Sequence, residues 1–325
     1  MRLHAQGTYP AQHTWGVSLF AAQGATAVIV PYKGSGLWHS LRAQIWVWLN
    51  QHRVDVVYAA CQSETWLLSR LRALGLFWRP LVAVIHHPLA GRLRGGRLVV
   101  RGHDRLLFLS ERVRKATAEA YPDRAARFHT LPWGVDTAFY DQPRAASRDF
   151  GSGYFVSAGK ANRDHDTLAA CAAAGQHRTV IICSAQTAPT SSNEAWVTVV
   201  SDQTGHAVSY GELTSIYQAA RAVVIPLTDV SLLAGLTSLL DAMACGRPVI
   251  MTRNAFVDID IEALGLGIWV PAGDQAALLA AMDRLAQDDA LVQRMSDKAR
   301  AFALDSYAYD TFARRVVDHC RAVAA

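Results

Sequence analysis

The residue types most suited to holding an anion lie together in one stretch of the 325-residue chain. It runs Ala234-Gly235-Leu236-Thr237-Ser238-Leu239-Leu240-Asp241-Ala242-Met243-Ala244-Cys245-Gly246-Arg247-Pro248-Val249-Ile250. Its grammar is a glycine-containing loop, a short helix, a glycine stop and a strand. The first amides of a helix have no partner within it and carry a partial positive charge of about half a unit. Supplied by Gly235, Leu236 and Thr237, they would hold a pyrophosphate, and Gly235, lacking Cβ, would let it come close. Asp241, one turn further on, could accept ribose hydroxyls. The same letters also read as an ordinary helix start with no ligand, in which Ser238-x-x-Asp241 is a capping box and Gly246 the stop.

Other chemistries find less support. No GxGxxG follows a strand, as a dinucleotide dehydrogenase would need, and there is no GxxxxGK for nucleotide hydrolysis. The cysteines, Cys61, Cys171, Cys183, Cys245 and Cys320, form no CxxC pair and no zinc spacing, and their odd number fits a reducing compartment. No carboxylate pair stands at metal spacing near the glycine loop, so no metal and no cofactor are expected.

These residues need elements to position them, and the chain supplies an alternating rhythm. In the first half, Thr26–Val30, Val54–Ala59, Leu81–Ile85 and Leu106–Leu109 read as short strands between helical stretches. Leu37, Leu41, Ile45 and Trp48 fall on one helical face, as do Trp66, Leu67, Leu71 and Leu74, and both faces are expected to cover a sheet. The segment DQPRAASRDFGSG (141–153) has linker composition. The rhythm restarts with Tyr154–Ser157, Thr179–Cys183, His206–Ser209, Ala222–Ile225, Pro248–Met251 and Gly267–Val270. The fold class is therefore α/β, with two Rossmann-like, doubly wound parallel-sheet domains facing a cleft.

Charge divides unevenly between the halves. Residues 1–150 carry 19 Lys+Arg against 9 Asp+Glu, or +10; residues 151–325 carry 13 against 18, or −5. Seven of the nine tryptophans lie in the basic half, a combination suited either to anionic lipid headgroups and phosphorylated acceptors or simply to a tryptophan-rich core. No signal-peptide pattern and no run of about 18 apolar residues is present, which points to a cytoplasmic protein, peripheral on the membrane if it meets one at all.

The segment LLDAMACGRPVI resembles the second half of a loop-helix pattern, roughly EGFGLxxLEAMACGxPVI, of the large group 1 (family 4-like) retaining glycosyltransferases with the two-domain B fold. The resemblance implies that the glycine-loop amides hold the donor diphosphate and that Asp241 binds the ribose. It fails at one point, because the family's first glutamate falls on Leu233. Phe155–Leu168 looks like the segment opening the family's donor domain. On that likeness the strand ends at Gly159, and Lys160 and Arg163 neutralise the leaving diphosphate unless they merely pair with Asp164 or Asp166. Val208–Leu213 resembles the family's strand and loop near the base, implicating Tyr210 and Leu213.

Pro132–Phe139 is similar to the signature that precedes the crossing between domains, and there it is a packing motif. His86 and His87 follow a strand where the family often carries a histidine facing the sugar, implying a catalytic or acceptor-side role for His86. Residues 7–16 resemble, more weakly, a loop that closes on both substrates.

The domains implied are 1–141, binding the acceptor and receiving a terminal helix at 306–325, and 142–305, binding the nucleotide sugar. The implied reaction moves a sugar from a nucleotide diphosphate to a hydroxyl on a saccharide, lipid-linked or small-molecule acceptor, with retention and without a metal. Nucleic acid is not an expected partner. A non-catalytic sugar-nucleotide binder and a sugar-nucleotide epimerase are the alternatives. A phosphorylase of similar fold would need a pyridoxal lysine, which neither Lys160 nor Lys298, the two lysines of the second half, matches.

Overall fold

The computed structural model describes residues 8–32, 36–89, 96–142, 148–201 and 208–324. They form two compact units: Ala11–Gly134 with the helix that begins at Tyr309, and Val135–Ala308 with residues 8–10. Positions 141/142 and 305/306, read from sequence as boundaries, both fall inside the second unit. The reason is a tie between the two chain crossings, where the Val135 amide donates to the Tyr307 carbonyl at 2.7 Å and Val135 bridges Ala308. Residues 143–147 of the linker reading and 1–7 of the chain start lie outside the described residues.

In the first unit β1 (Val57–Ala59), β2 (Leu81–Ile85), β3 (Arg105–Phe108) and β4 (Phe128–Thr130) pair in that order, all parallel. All five residues of β2 are fully buried, as a strand covered on both faces requires. Around the sheet lie α1 (Leu37–Leu49), α2 (Trp66–Ala73), α3 (Gly96–Gly102) and α4 (Glu111–Ala120).

Two expectations fail here. Thr26–Val30 is not a strand: Val28 and Ile29 are exposed, and no strand pairs with the run among the described residues. The face of α1 read from Leu37, Leu41, Ile45 and Trp48 turns inward only in part: Trp48 packs, with Val47, against the buried cluster of Leu68, Phe77 and Leu81. Leu37 and Ile45 are exposed, and the buried residue is Gln44, whose Oε1 accepts from the amides of Leu67 (2.7 Å) and Leu68 (3.3 Å). The start of α2 has no side-chain cap of its own, so Gln44 supplies the acceptor that buried amides need. Leu74, read as part of the α2 face, lies past the helix end and is exposed.

The second unit begins with the short α5 (Thr137–Tyr140). Its sheet contains β5 (Phe155–Gly159), β6 (Thr179–Cys183), β7 (Val197–Ser201), β8 (Ala222–Ile225), β9 (Val249–Thr252) and β10 (Gly267–Val270). All are parallel, in the order β10-β9-β8-β5-β6-β7. The chain works outward from β5 to β7, then returns to β8 on the other side of β5. This is the doubly wound order, and its switch point lies between β5 and β8, where ligands of such sheets bind beyond the strand ends. The helices are α6 (His165–Ala174), α7 (Tyr210–Ala219), α8 (Leu236–Ala244), α9 (Gln275–Gln287) and α10 (Asp289–Ser306). Phe155, Ile181, Val224, Ile250, Leu278 and Met282 belong to one buried cluster between sheet and helices.

Of the strand read at His206–Ser209, the described residues Val208 and Ser209 belong to no strand. Residues 206 and 207 lie outside the described residues, and Ser209 caps α7 by accepting from the Glu212 amide.

The chain closes with α11 (Tyr309–Ala324), which buries Phe312, Ala313, Val316 and Val317 in the first unit. The Tyr309 hydroxyl is the anchor of that packing. It lies 2.6 Å from Thr14 Oγ1 and 2.9 Å from Ser18 Oγ, and it accepts from the Gly16 amide at 3.0 Å. No helix among the described residues is long and apolar enough to cross a membrane.

Candidate active site

At the switch point β5 ends on Gly159, and the Arg163 side chain folds back over it. A Cβ on residue 159 would sit 2.5 Å from Arg163 Nε and 2.8 Å from Cζ, so the glycine makes room for the guanidinium. Arg163 Nη2 donates to Ser238 Oγ at 2.9 Å, and Nη1 donates to the carbonyls of Ala161 (3.2 Å) and Asn162 (3.3 Å). Nε is buried without a partner, and burial lowers the pKa of the guanidinium. No carboxylate pairs with Arg163 or Lys160 among the described residues. Asp164 instead caps α6 at the Thr167 amide, and Asp166 accepts from the Thr190 amide and hydroxyl. The surface-pair reading of both cations is thereby set aside. A half-buried cation with a buried, open donor and no counter-charge is suited to meet an anion.

The turn that carries Arg163 is clamped across the switch point. Asn162 adopts a left-handed φ of 53°, held because Nδ2 donates to the Asp229 carbonyl (2.7 Å) while Oδ1 accepts from the Asp229 amide and Thr228 Oγ1, both at 2.6 Å. Lys160 is exposed, its carbonyl accepting from Ser184 Oγ at 3.1 Å.

Helix α8 begins at Leu236, with Gly235 as N-cap at φ 83° and no side-chain cap. The capping-box reading therefore fails: Ser238 is already inside the helix, binding Arg163 and donating to the Ala158 carbonyl at 3.2 Å. Gly235 is required by its positive φ; a Cβ there would also lie 2.6 Å from Met251 Cε, the end of a side chain that would have to turn aside. The uncapped first turn, with Leu236 buried and Thr237 half-exposed, meets the end of β5 through the Arg163–Ser238 bond.

Asp241 lies one turn along α8 from Ser238 and is only 3% exposed. It accepts from the Tyr140 hydroxyl at 2.5 Å. Burial pushes its pKa up to about 7, against the lowering effect of the Tyr140 bond. Tyr140 is held in turn by Gln218, whose Nε2 donates to its carbonyl at 2.7 Å. Tyr210, the first residue of α7, packs on Tyr9 with ring centroids 4.3 Å apart, and Leu213 is half-buried on the same helix. Ser238, Asn162 and Tyr140 escape a reading of the sequence. Tyr140 is 101 residues from its partner, and its one local signal is a place directly after the Val135–Phe139 signature.

The remaining residues singled out from sequence lie in the first unit. His86 follows β2, half-buried, with Nε2 donating to the Ala60 carbonyl at 2.8 Å. A carbonyl can only accept, so Nε2 carries the proton and Nδ1 is the acceptor. Burial lowers the His86 pKa and keeps the ring neutral. Trp15 lies 4.8 Å from the His86 ring and stacks on Trp133 at 4.7 Å. His87 is exposed beside His86. Among the described residues no three His, Cys, Asp or Glu side chains converge as a metal site would.

Two family models match the chain: Glycosyltransferase Family 4 over residues 12–139 and Glycosyl transferases group 1 over residues 193–288. The chain belongs to the group 1, family 4 glycosyltransferases. Solved structures agree on the fold of this glycosyltransferase. HepE from Anabaena, in complex with UDP-glucose, is 14% identical with a TM-score of 0.66, over 86% of this chain and 82% of that one. WaaG, described as a glycosyltransferase involved in lipopolysaccharide biosynthesis, is 15% identical with a TM-score of 0.66, over 95% of both chains. Sucrose-phosphate synthase from Thermosynechococcus elongatus is 16% identical with a TM-score of 0.65, over 90% and 81%. No curated protein matches significantly by sequence. The glycosyltransferase departs from the pattern of its family at Leu233, which is buried at 7% exposure where that pattern has glutamate.

Proposed function

We propose that this glycosyltransferase binds the diphosphate of a sugar nucleotide where β5 meets α8 and transfers the sugar, with retention, to an acceptor hydroxyl. One observation carries the reading: Arg163 is a half-buried cation whose buried Nε–H has no partner and which pairs with no carboxylate among the described residues, and it is bonded to the first turn of an uncapped helix. In the reaction the bond from the anomeric carbon to the phosphate oxygen breaks and negative charge gathers on the leaving diphosphate. Arg163, Lys160 and the amides of Gly235, Leu236 and Thr237 stabilise that charge without having to reorganise. The acceptor hydroxyl bonds to the anomeric carbon and passes its proton to the leaving phosphate oxygen. His86, neutral and protonated on Nε2, accepts a sugar hydroxyl at Nδ1; His87 lies on the acceptor side. Tyr210 and Leu213 border the base, and Asp241 turns to the ribose. Two side-chain cations and a helix end supply the charge that a divalent metal supplies elsewhere, so the reaction runs without one.

The Anabaena relative was solved with UDP and with UDP-glucose, which makes UDP the first nucleotide to try. Replacing Arg163 by Ala tests the reading, since an Arg163→Ala enzyme with unchanged donor kinetics removes that residue from the site. Buried Leu233 favours a second reading, a relative that binds sugar nucleotide without turning it over. Persistent binding with no transfer and no donor hydrolysis across many acceptors would select it. Conversion of the sugar nucleotide with no acceptor present would instead mark an epimerase.

A further inference from the structure

The solvent side of α1 carries an apolar stripe. Successive helical residues are about 100° apart, which puts Trp38, Arg42, Ile45 and Leu49 in one stripe about 60° wide. Trp38 is 74% exposed, Leu49 63% and Ile45 37%, and Arg42 is exposed among them. The inward side buries Gln44 against the start of α2 and packs Val47 and Trp48 on Leu68, Phe77 and Leu81. A helix serving only its own domain keeps its solvent side polar.

The stripe continues beyond the helix. Trp48 Nε1 donates to the Leu76 carbonyl at 2.9 Å and the Trp78 amide donates to Gln51 Oε1 at 3.1 Å, which brings the turn after α2 against the end of α1. That turn exposes Leu74 (72%), Leu76 (50%) and Trp78 (61%), while Phe77 is buried as its anchor. Residues 36–80 hold five arginines against two carboxylates, Asp55 and Glu64. Only one of those arginines, Arg72, is in an ion pair among the described residues, with Asp104.

We infer that this surface of the first unit docks on an anionic lipid bilayer. Tryptophans at both ends of an apolar strip suit the boundary between headgroups and acyl chains. The Arg42 stem lies along the strip while its guanidinium meets lipid phosphate. A second copy of the chain is the poorer occupant, because a two-fold contact through the stripe would bring Arg42 towards its own equivalent within a basic surface. The inference rests on the first unit and is independent of the donor reading.

The test is sedimentation of the full chain with phosphatidylcholine vesicles, with and without phosphatidylglycerol, alongside size-exclusion chromatography. The wild type sediments with the phosphatidylglycerol vesicles and is released by added salt. Trp38→Ser and Leu49→Ser each weaken binding roughly tenfold, the effect of withdrawing one large apolar side chain from the bilayer. Arg42→Glu weakens binding to the anionic vesicles specifically. All three positions are exposed, so melting temperatures stay at the wild-type value, and Arg42→Glu remains informative should either serine variant prove unstable. Failure of the wild type to bind phosphatidylglycerol vesicles overturns the inference, as does equal binding by all variants. A dimer that these substitutions dissociate, without vesicle binding, overturns it in favour of a second copy.

Discussion

Arg163 reaches Ser238 only because residue 159 has no side chain. Arg163→Ala should therefore weaken donor use by about 1–3 kcal/mol, the scale of a charge-assisted hydrogen bond, with the melting temperature little changed. Gly159→Ala should reproduce most of that loss by pushing the guanidinium aside. Steady-state kinetics on the two variants check this, and normal donor kinetics in Gly159→Ala would break the link between them. Asp241 makes a different prediction. Its folded pKa is raised from 3.8 to about 7, so the folded state holds the proton more tightly than the unfolded chain does. The stability this gives is complete below about pH 4 and is lost as pH rises towards about 7. Asp241→Asn, which keeps an acceptor for Tyr140, should gain in melting temperature relative to wild type across that range. A constant difference would mean that the carboxyl ionises freely. That a strand ends at Gly159 and a helix starts after Gly235 was legible in the sequence because those signals are local; the Tyr140–Asp241 bond was not, because it joins residues that only the fold brings together.

At the level of elements, α8 is set by Gly235, whose left-handed backbone conformation disfavours any side chain and where a Cβ would also displace the end of Met251. Gly235→Ala should lower stability by about 1–3 kcal/mol, measured by denaturant unfolding, and weaken donor binding with it; a variant as stable as wild type would contradict this account of the loop. Tyr309→Phe removes the hydroxyl that joins α11 to Thr14, Gly16 and Ser18, and should cost about 1–2 kcal/mol.

Strands such as Leu81–Ile85 and Thr179–Cys183 could be read from the sequence because a strand buried on both faces is a continuous apolar run. Thr26–Val30 has the same composition and is no strand, since composition does not supply a partner edge. On α1, Trp48 was read inward rightly, but Leu37 and Ile45 were not, for a related reason: the amides of α2 needed Gln44, and periodicity does not register that demand. Short β4 and β7 passed unnoticed, the first having only three residues, one of them His129, and the second alternating with Thr198 in its middle.

For the whole molecule, the sequence was enough to suggest two parallel α/β halves. The strand order of the second half, with β8 returning to β5, required the structure. The opposite charges of the halves were plain in composition, but where the basic half exposes its tryptophans was not, because exposure depends on packing. The proposed charge stabilisation by Arg163, Lys160 and the α8 amides predicts that turnover persists in excess EDTA. Loss of activity restored by magnesium or manganese would contradict it.

The most direct test of the donor site is thermal unfolding of wild type and Arg163→Ala with UDP, GDP, dTDP, ADP and CDP, since a ligand bound only by the folded state raises its midpoint. The account predicts that one diphosphate raises the wild-type midpoint clearly and that of Arg163→Ala much less. No shift with any nucleotide, or the same shift in both proteins, would contradict it.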